Sequence, residues 1–314
     1  VNLYPFKLKP VLKDIIWGGT RLASKYGKSD GQIRKIAESW ELAVHKNGMS
    51  LIENGEYAGC ALGDLFKCDK SIVSPGYKSD VFPLLVKFID AGQDLSVQVH
   101  PGDEYAAKHE NESGKTEMWY IIDALPESRI VYGLNGRYTR EELRALIAEN
   151  RFEECLNYIK VKPGEAYFIP AGLVHAIGEG ILILEIQQNS DSTYRFYDYN
   201  RLGTDNKPRE LHIEKALDVC IKSPVKAPGN SGCGILAACE YFQAEIYQNV
   251  NYINFELETV FMNCVTCIKG EGKIICEGKM YDIKSGESYF LAAGTGKCQI
   301  EGNAVFVTAK CGNG

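Results

Sequence analysis

The chain reads as predominantly β, built from two copies of one β unit with a small helical insertion. Three observations lead there. The segment Val161–Gly172 aligns without gaps to Ile283–Gly294 and is identical at seven of twelve positions, the Lys, Gly, Glu, Tyr, Phe, Ala and Gly, which marks a duplicated structural unit. Thirty-one glycines in 314 residues supply many tight turns. Several short stretches alternate apolar and polar side chains, the period of a half-buried strand.

Taken in chain order, Leu95, Val97 and Val99 alternate with Ser96, Gln98 and His100, so a strand here puts three polar groups on one face, roughly 6 to 7 Å apart. Gly114 to Ile122 follows a polar turn and reads as a second strand, with Lys115 and Glu117 sharing a face. Thr139 to Glu142 is a capping box, and Leu143, Leu146 and Ile147 continue it at helical spacing. Pro163-Gly164 is a turn that opens a strand from Glu165 to Ile169. Pro170-Ala171-Gly172 closes that strand, so His175 emerges just past the bend. Ile181 to Ile186 is an apolar strand interrupted by Glu185, and Ser190 to Arg195 turns the chain and presents an arginine. Ile213, Ala216, Leu217 and Cys220 form another amphipathic stripe that ends before Pro224. Both helical stripes are packing faces. The Pro- and Gly-rich Ser223–Gly234 reads as a linker. It divides a unit of residues 1–225, with helical segments near 139–158 and 210–222, from a carboxy-terminal β unit of residues 233–314. In the second copy the position of His175 holds Lys297, and residues 213–314 contain no histidine, so that unit keeps the scaffold without the metal ligands.

Composition narrows the function. The net charge is −6 with no run of basic residues, which argues against a nucleic-acid or membrane surface; an anionic small substrate would need locally placed cations. No apolar run reaches the roughly 18 residues that span a bilayer, and Val1 to Pro5 lacks a basic region followed by an apolar one, so a cytoplasmic protein is expected. The eleven cysteines have no spacing framework and are expected as reduced thiols, mostly small core residues. Cys264 and Cys267 form a CxxC, but no second pair follows to complete a structural zinc site.

Gln98, His100, Glu117 and His175 together offer two imidazoles, a carboxylate and an amide. That set suits zinc with an open coordination position, although iron, manganese or nickel accept similar ligands. Each of the two histidines sits beside a turn and among polar groups, whereas His45, His109 and His212 have no partner at ligand spacing and read as ordinary core or surface groups. Glu185 in its apolar run must meet a cation or have its pKa raised by desolvation. Arg195 offers a permanently charged planar fork of donors. Trp17, Trp40 and Trp119 read as core residues.

Gly164, Pro170, Gly172 and His175 match the spacing of the second motif of the cupin superfamily, and Gln98-Val99-His100 stands where its first His-x-His pair stands. The fuller set resembles the type I phosphomannose isomerases, in their short bacterial form. It comprises Glu38-Ser39-Trp40-Glu41-Leu42, Ser96 to Pro101, Lys115 to Met118, the His175 turn, and Ser190-Asp191 through Arg195. The resemblance implies two cupin-type jelly-roll barrels and an enzyme, with one Zn2+ per chain, that interconverts mannose 6-phosphate and fructose 6-phosphate. By position, Gln98, His100, Glu117 and His175 would be its metal ligands. Arg195 would be the catalytic arginine, with Ser96, Lys87 and Lys115 near the phosphate or the reacting carbons. Two departures stand out: larger members carry a tyrosine where this chain has Ile177, and their Lys-Pro-Glu is Lys115-Thr116-Glu117 here. The chemistry is an aldose–ketose isomerisation through an enediolate, for which Glu185, Lys115 and a water on the metal are the contending proton carriers. The same scaffold also serves iron-dependent cupin oxygenases and non-catalytic sugar-binding modules. Oligomeric state stays open.

Overall fold

The computed structural model describes residues 1–29, 35–203, 206–227, 230–231, 234–248 and 252–312. The architecture is antiparallel β throughout, in three principal sheets. A seven-stranded sheet runs in the order Asn230–Ser231, Glu165–Ile169, Glu117–Ala124, Ile181–Gln188, Leu84–Asp90, Glu38–Leu42 and Val11–Lys13. A five-stranded sheet faces it, in the order Leu156–Lys160, Arg129–Leu134, His175–Ile177, Val97–Val99 and Tyr194–Tyr197.

The period of two sorts the side chains of these strands into layers. On Ile181–Gln188, Leu182, Leu184 and Ile186 face outward into one apolar core, while Ile181 and Ile183 face the interior of the barrel with Trp119 and Ile89. Val97 and Val99 turn away from that interior and pack with Leu143, Ala216 and Leu217 of the helices Arg140–Ala148 and Ile213–Val219. Both helices therefore cover the outer face of the five-stranded sheet and take no part in the interior.

The first of these helices opens on its capping box: Glu142 N–H donates to the Thr139 hydroxyl at 3.2 Å, and Thr139 N–H donates to the Glu142 carboxylate at 2.7 Å. It stops earlier than the sequence reading. Asn150 adopts a left-handed φ of 56°, Arg151 N–H bonds back to Leu146 O, and a short 3-10 turn at Phe152–Cys155 leads into the strand Leu156–Lys160. The helical stretch expected to residue 158 thus closes at an asparagine, the residue other than glycine that most readily takes this conformation at a helix end.

The carboxy-terminal sheet contains Gly234–Ala238, Phe242–Gln248, Lys297–Cys311, Asn263–Cys276 and Ser288–Leu291, with Ile253–Glu258 and Lys279–Lys284 pairing alongside. It then continues into the amino terminus: Phe6–Lys9 pairs with Ser288–Leu291, Phe6 lying opposite Phe290, and Leu51–Ile52 pairs with Phe6–Lys9. The division expected at 225–233 is therefore crossed. The first strand of the chain covers what would otherwise be an open edge of the second unit. Phe6, Phe88, Leu184, Phe242 and Phe290 share one core across both units. Of the expected linker, residues 228, 229, 232 and 233 lie outside the described residues. Asn230–Ser231 adds a short strand to the edge beside Glu165–Ala166.

The duplicated motif is visible in the backbone. Gly164 and Gly286 take φ of 92° and 88°, and Gly172 and Gly294 take 87° and 86°. Lys162 N–H donates to the Glu165 carboxylate and Lys284 N–H to the Glu287 carboxylate, at 2.8 and 3.0 Å. The cysteine expectation needs correcting. Cys276 and Cys298 stand directly opposite one another on neighbouring strands, their Cα atoms 4.6 Å apart, and form a disulfide. That Cα spacing belongs to a non-hydrogen-bonded antiparallel pair, which brings facing side chains closest. Cys264 and Cys267 join different cores on opposite faces of one strand, so this CxxC cannot converge on a single ion.

Candidate metal centre and active-site cavity

Register lines up the polar residues inside the barrel. On the seven-stranded sheet Trp40, Lys87, Glu185 and Trp119 lie opposite one another on four adjacent strands. On the facing sheet Arg195, Gln98 and His175 do the same on three. A backbone bond from Gly172 N–H to His100 O, at 2.8 Å, ties the two histidine segments together. Gly172 is required there, because its φ is positive and an added Cβ would stand 2.8 Å from Val219 O.

The two imidazoles are oriented alike. His100 Nδ1–H donates to Ser192 O and His175 Nδ1–H donates to Leu173 O, both at 2.8 Å. Each Nε2 is then left with its lone pair pointing inward, and the two Nε2 atoms lie 3.1 Å apart. Glu117 completes the cluster, its oxygens 3.4 Å from His100 Nε2 and 3.6 Å from His175 Nε2. Ligand atoms of all three residues lie within 4.8 Å of one another, and all three side chains are buried. Neither Glu117 oxygen has a hydrogen-bond donor. A buried carboxylate without a hydrogen-bond donor is costly, and the one ammonium beside it, Lys115, lies 3.5 Å away; a metal ion between the carboxylate and the two Nε2 atoms would satisfy all three. Gln98 reaches the same cluster with its amide, Nε2 at 3.4 Å from His175 Nε2 and Oε1 accepting from the Ser96 hydroxyl at 3.1 Å. Turning that amide over would present its oxygen as a fourth donor.

Burial, and next the Lys115 ammonium, push His100 down to about 3; burial likewise lowers His175. Both are therefore neutral and available as ligands. Burial opposes ionisation of Glu117, but the Lys115 ammonium outweighs it and holds the carboxyl well below its usual range. Lys115 Nζ lies 3.1 Å from His100 Nε2 and 3.5 Å from Glu117.

Beside the cluster opens a cavity of about 420 Å³, lined by Lys87, Ser96, Lys115, Glu185, Asp191 and Arg195 among others. All the sequence-selected polar residues thus converge on the interior of one barrel. Their circumstances differ. Lys87 is buried between Glu185 at 2.9 Å and Glu38 at 3.6 Å, and those carboxylates raise its pKa despite the opposing effect of burial. Glu185 accepts from Trp119 Nε1–H at 2.7 Å, and burial and the Glu117 charge raise its pKa against the pull of Lys87. Arg195 has a buried Nε without an acceptor and is held below its usual value by burial and by Arg209. Ile177 adds an apolar patch to the cavity wall. The three tryptophans are buried, as a core reading requires, yet each also lines the cavity. His45, His109 and His212 stay outside the cluster; His109 stacks on Tyr105 and His212 packs on Tyr194.

Sequence reasoning missed Lys13, Asn47 and Arg209, which also line the cavity. Arg209 is held there by Asp198, which also binds Arg201. Nothing in the spacing of Lys207-Pro208-Arg209 signals this. In the second unit Lys297 is exposed and pairs with Glu256 at 2.6 Å, while Val265, Ile274, Ile300 and Phe306 fill the interior.

Comparison with known proteins agrees with this architecture. Residues 5–127 match the model of the phosphomannose isomerase type I catalytic domain, and residues 234–310 match that of the mannose-6-phosphate isomerase cupin domain. The chain is 41% identical to mannose-6-phosphate isomerase ManA of Bacillus subtilis (strain 168), covering 96% of each chain. It is 35% identical to the mannose-6-phosphate isomerase of Streptococcus mutans, over 97% of this chain and 98% of that one. The crystal structure of the mannose 6-phosphate isomerase from Bacillus subtilis superposes with a TM-score of 0.87 at 36% identity, covering 97% of this chain and 99% of that one. The β-dominated cupin fold is shared with that structure.

Proposed function

The chain belongs to the type I mannose-6-phosphate isomerases, and from that premise we propose that it uses one zinc ion, held by Gln98, His100, Glu117 and His175, to interconvert mannose 6-phosphate and fructose 6-phosphate. The oxygenase and non-catalytic readings fall away with membership of an isomerase family. The observation that carries the metal assignment is the convergence of two inward lone pairs with a buried carboxylate that has no donor of its own. Zinc, when bound, supplies a Lewis acid for the substrate oxygens.

The residues divide the remaining work. Arg195 brings an unpaired donor and a fixed positive charge to the cavity, where negative charge on the sugar oxygens develops as the C2 proton leaves. Glu185 is the proton carrier in this reading: it lines the cavity beside the cluster, and burial and Glu117 raise its pKa above the usual carboxylate value. Lys115, 3.5 Å from Glu117 and on the cavity wall, acts as a fixed charge beside the reacting carbons. Ser96 and Lys87 line the same cavity, near the phosphate or the reacting carbons in this reading. Lys87 is already matched by two carboxylates, so Arg209, which also lines the cavity, adds positive charge for the dianion. Residues 1–225 carry the site in this reading, and residues 233–314 buttress it.

A coupled assay on mannose 6-phosphate tests the assignment. Chelation should abolish turnover and zinc should restore it, while Arg195→Ala should lower kcat by roughly 10²- to 10³-fold with metal content and folding unchanged. Full activity after exhaustive chelation would sink the metal assignment.

A further inference from the structure

Glu112 has no role in any motif of the sequence, yet it makes five polar contacts at the back of the metal cluster. It follows the helix Asp103–His109, where Asn111 takes a left-handed φ of 55° and turns the chain inward. One carboxylate oxygen accepts from the Ser190 hydroxyl at 3.2 Å, the Asp191 N–H at 3.3 Å and the Ser192 hydroxyl at 3.0 Å. The other lies 2.6 Å from Lys46 Nζ and 3.5 Å from His45 Nε2.

The loop held in this way has two outputs. Its Ser192 carbonyl accepts the Nδ1–H of His100 and so sets the tautomer and ring orientation of that residue. Its Asp191 reaches the cavity wall, where the carboxylate accepts from Asn47 Nδ2–H at 2.8 Å. We propose that Glu112 is a positioning residue for the metal centre, acting through the Ser190–Ser192 loop to hold the Ser192 carbonyl against His100. The inference rests on the metal reading of the His100, Glu117 and His175 cluster. Groups that orient a ligating histidine from behind commonly set metal affinity as strongly as a tenfold to hundredfold factor.

Charge supports the geometry. Burial opposes ionisation of Glu112, but Lys46, the Ser192 hydroxyl and the Asp191 N–H together bring it down to about 2, so the anchor stays ionised wherever the enzyme works. Ser192 links the two groups: its hydroxyl donates to Glu112 and its carbonyl accepts from His100.

Zinc titration of the metal-free full chain, in competition with a chromophoric chelator, tests this. Glu112→Ala should weaken zinc binding by about 10- to 100-fold. Glu112→Gln, which keeps the shape and one acceptor oxygen, should recover most of that loss, a rescue that general destabilisation does not predict. Ser192→Ala removes one grip while leaving the carbonyl in place and should weaken binding by less than Glu112→Ala but measurably. It decides the matter by itself if Glu112→Ala fails to fold. Wild-type zinc affinity in Ser192→Ala and in any Glu112→Ala that folds overturns the inference while leaving the metal reading intact. A wild-type chain that binds no zinc overturns both.

Discussion

Individual side chains at this site are defined by what their neighbours leave unsatisfied. His100 and His175 resemble any strand histidine until both Nδ1–H groups are seen to be spent on backbone carbonyls, which turns both remaining lone pairs inward. Glu117 carries the matching deficit of donors. Motif spacing was enough to select these residues, because alternation along a strand and a turn before His175 are local properties. Arg209 was not legible in the same way, since its place depends on Asp198, eleven residues earlier. That pair also carries a pH signature. Burial opposes ionisation of Asp198, but Arg209 and Arg201 outweigh it and lower the folded pKa. The unfolded chain then takes up this proton first on acidification, so the stabilisation is complete above about pH 4 and is lost as pH falls below that value. Asp198→Asn should cost on the order of 1 to 3 kcal/mol at neutral pH. It should also flatten the acid limb of the stability curve, as measured by urea unfolding at several pH values. An unchanged acid limb would refute the linkage.

Among the elements, the turn at Gly172 joins the two histidine segments. Its N–H bonds to His100 O and its carbonyl accepts from Ile221 N–H, so one residue connects the Val97–Val99 strand, the His175–Ile177 strand and the end of the helix Ile213–Val219. Positive φ and the approach of Val219 O leave no room for a Cβ. Gly172→Ala should therefore destabilise the fold by about 1 to 3 kcal/mol and reduce zinc affinity as well, whereas Gly164→Ala, with nothing within 4 Å of its added Cβ, should show the strain of its φ alone. Comparing the denaturation midpoints and zinc titrations of the two variants checks this; equal zinc affinities would show that the turn does not support the site. Strand limits around Glu165–Ile169 were readable from the flanking Pro and Gly residues. The early helix end at Asn150 was not, because a left-handed asparagine leaves a weaker mark in sequence than a glycine.

The whole molecule behaves as two β units sharing one core. Phe6 is fully buried, stacks on Phe290 with ring centroids 6.2 Å apart, and belongs to the core that also contains Phe88 and Leu184 from the site-bearing barrel. Phe6→Ala should cost about 3 to 5 kcal/mol and shift a single cooperative transition, read by calorimetry; two separated transitions in the wild type would contradict a shared core. The duplication, the polar strand faces and the histidine turns follow from residue identity and short-range spacing, and all were present in the linear chain. Which strands became neighbours depended on folding. Register set Lys87 beside Glu185 and Arg195 beside Gln98, and it placed Cys276 opposite Cys298. The amino-terminal strand went to the far sheet, and Glu112 came to rest behind His100, because pairing energies between residues tens to hundreds of positions apart have no local pattern to betray them.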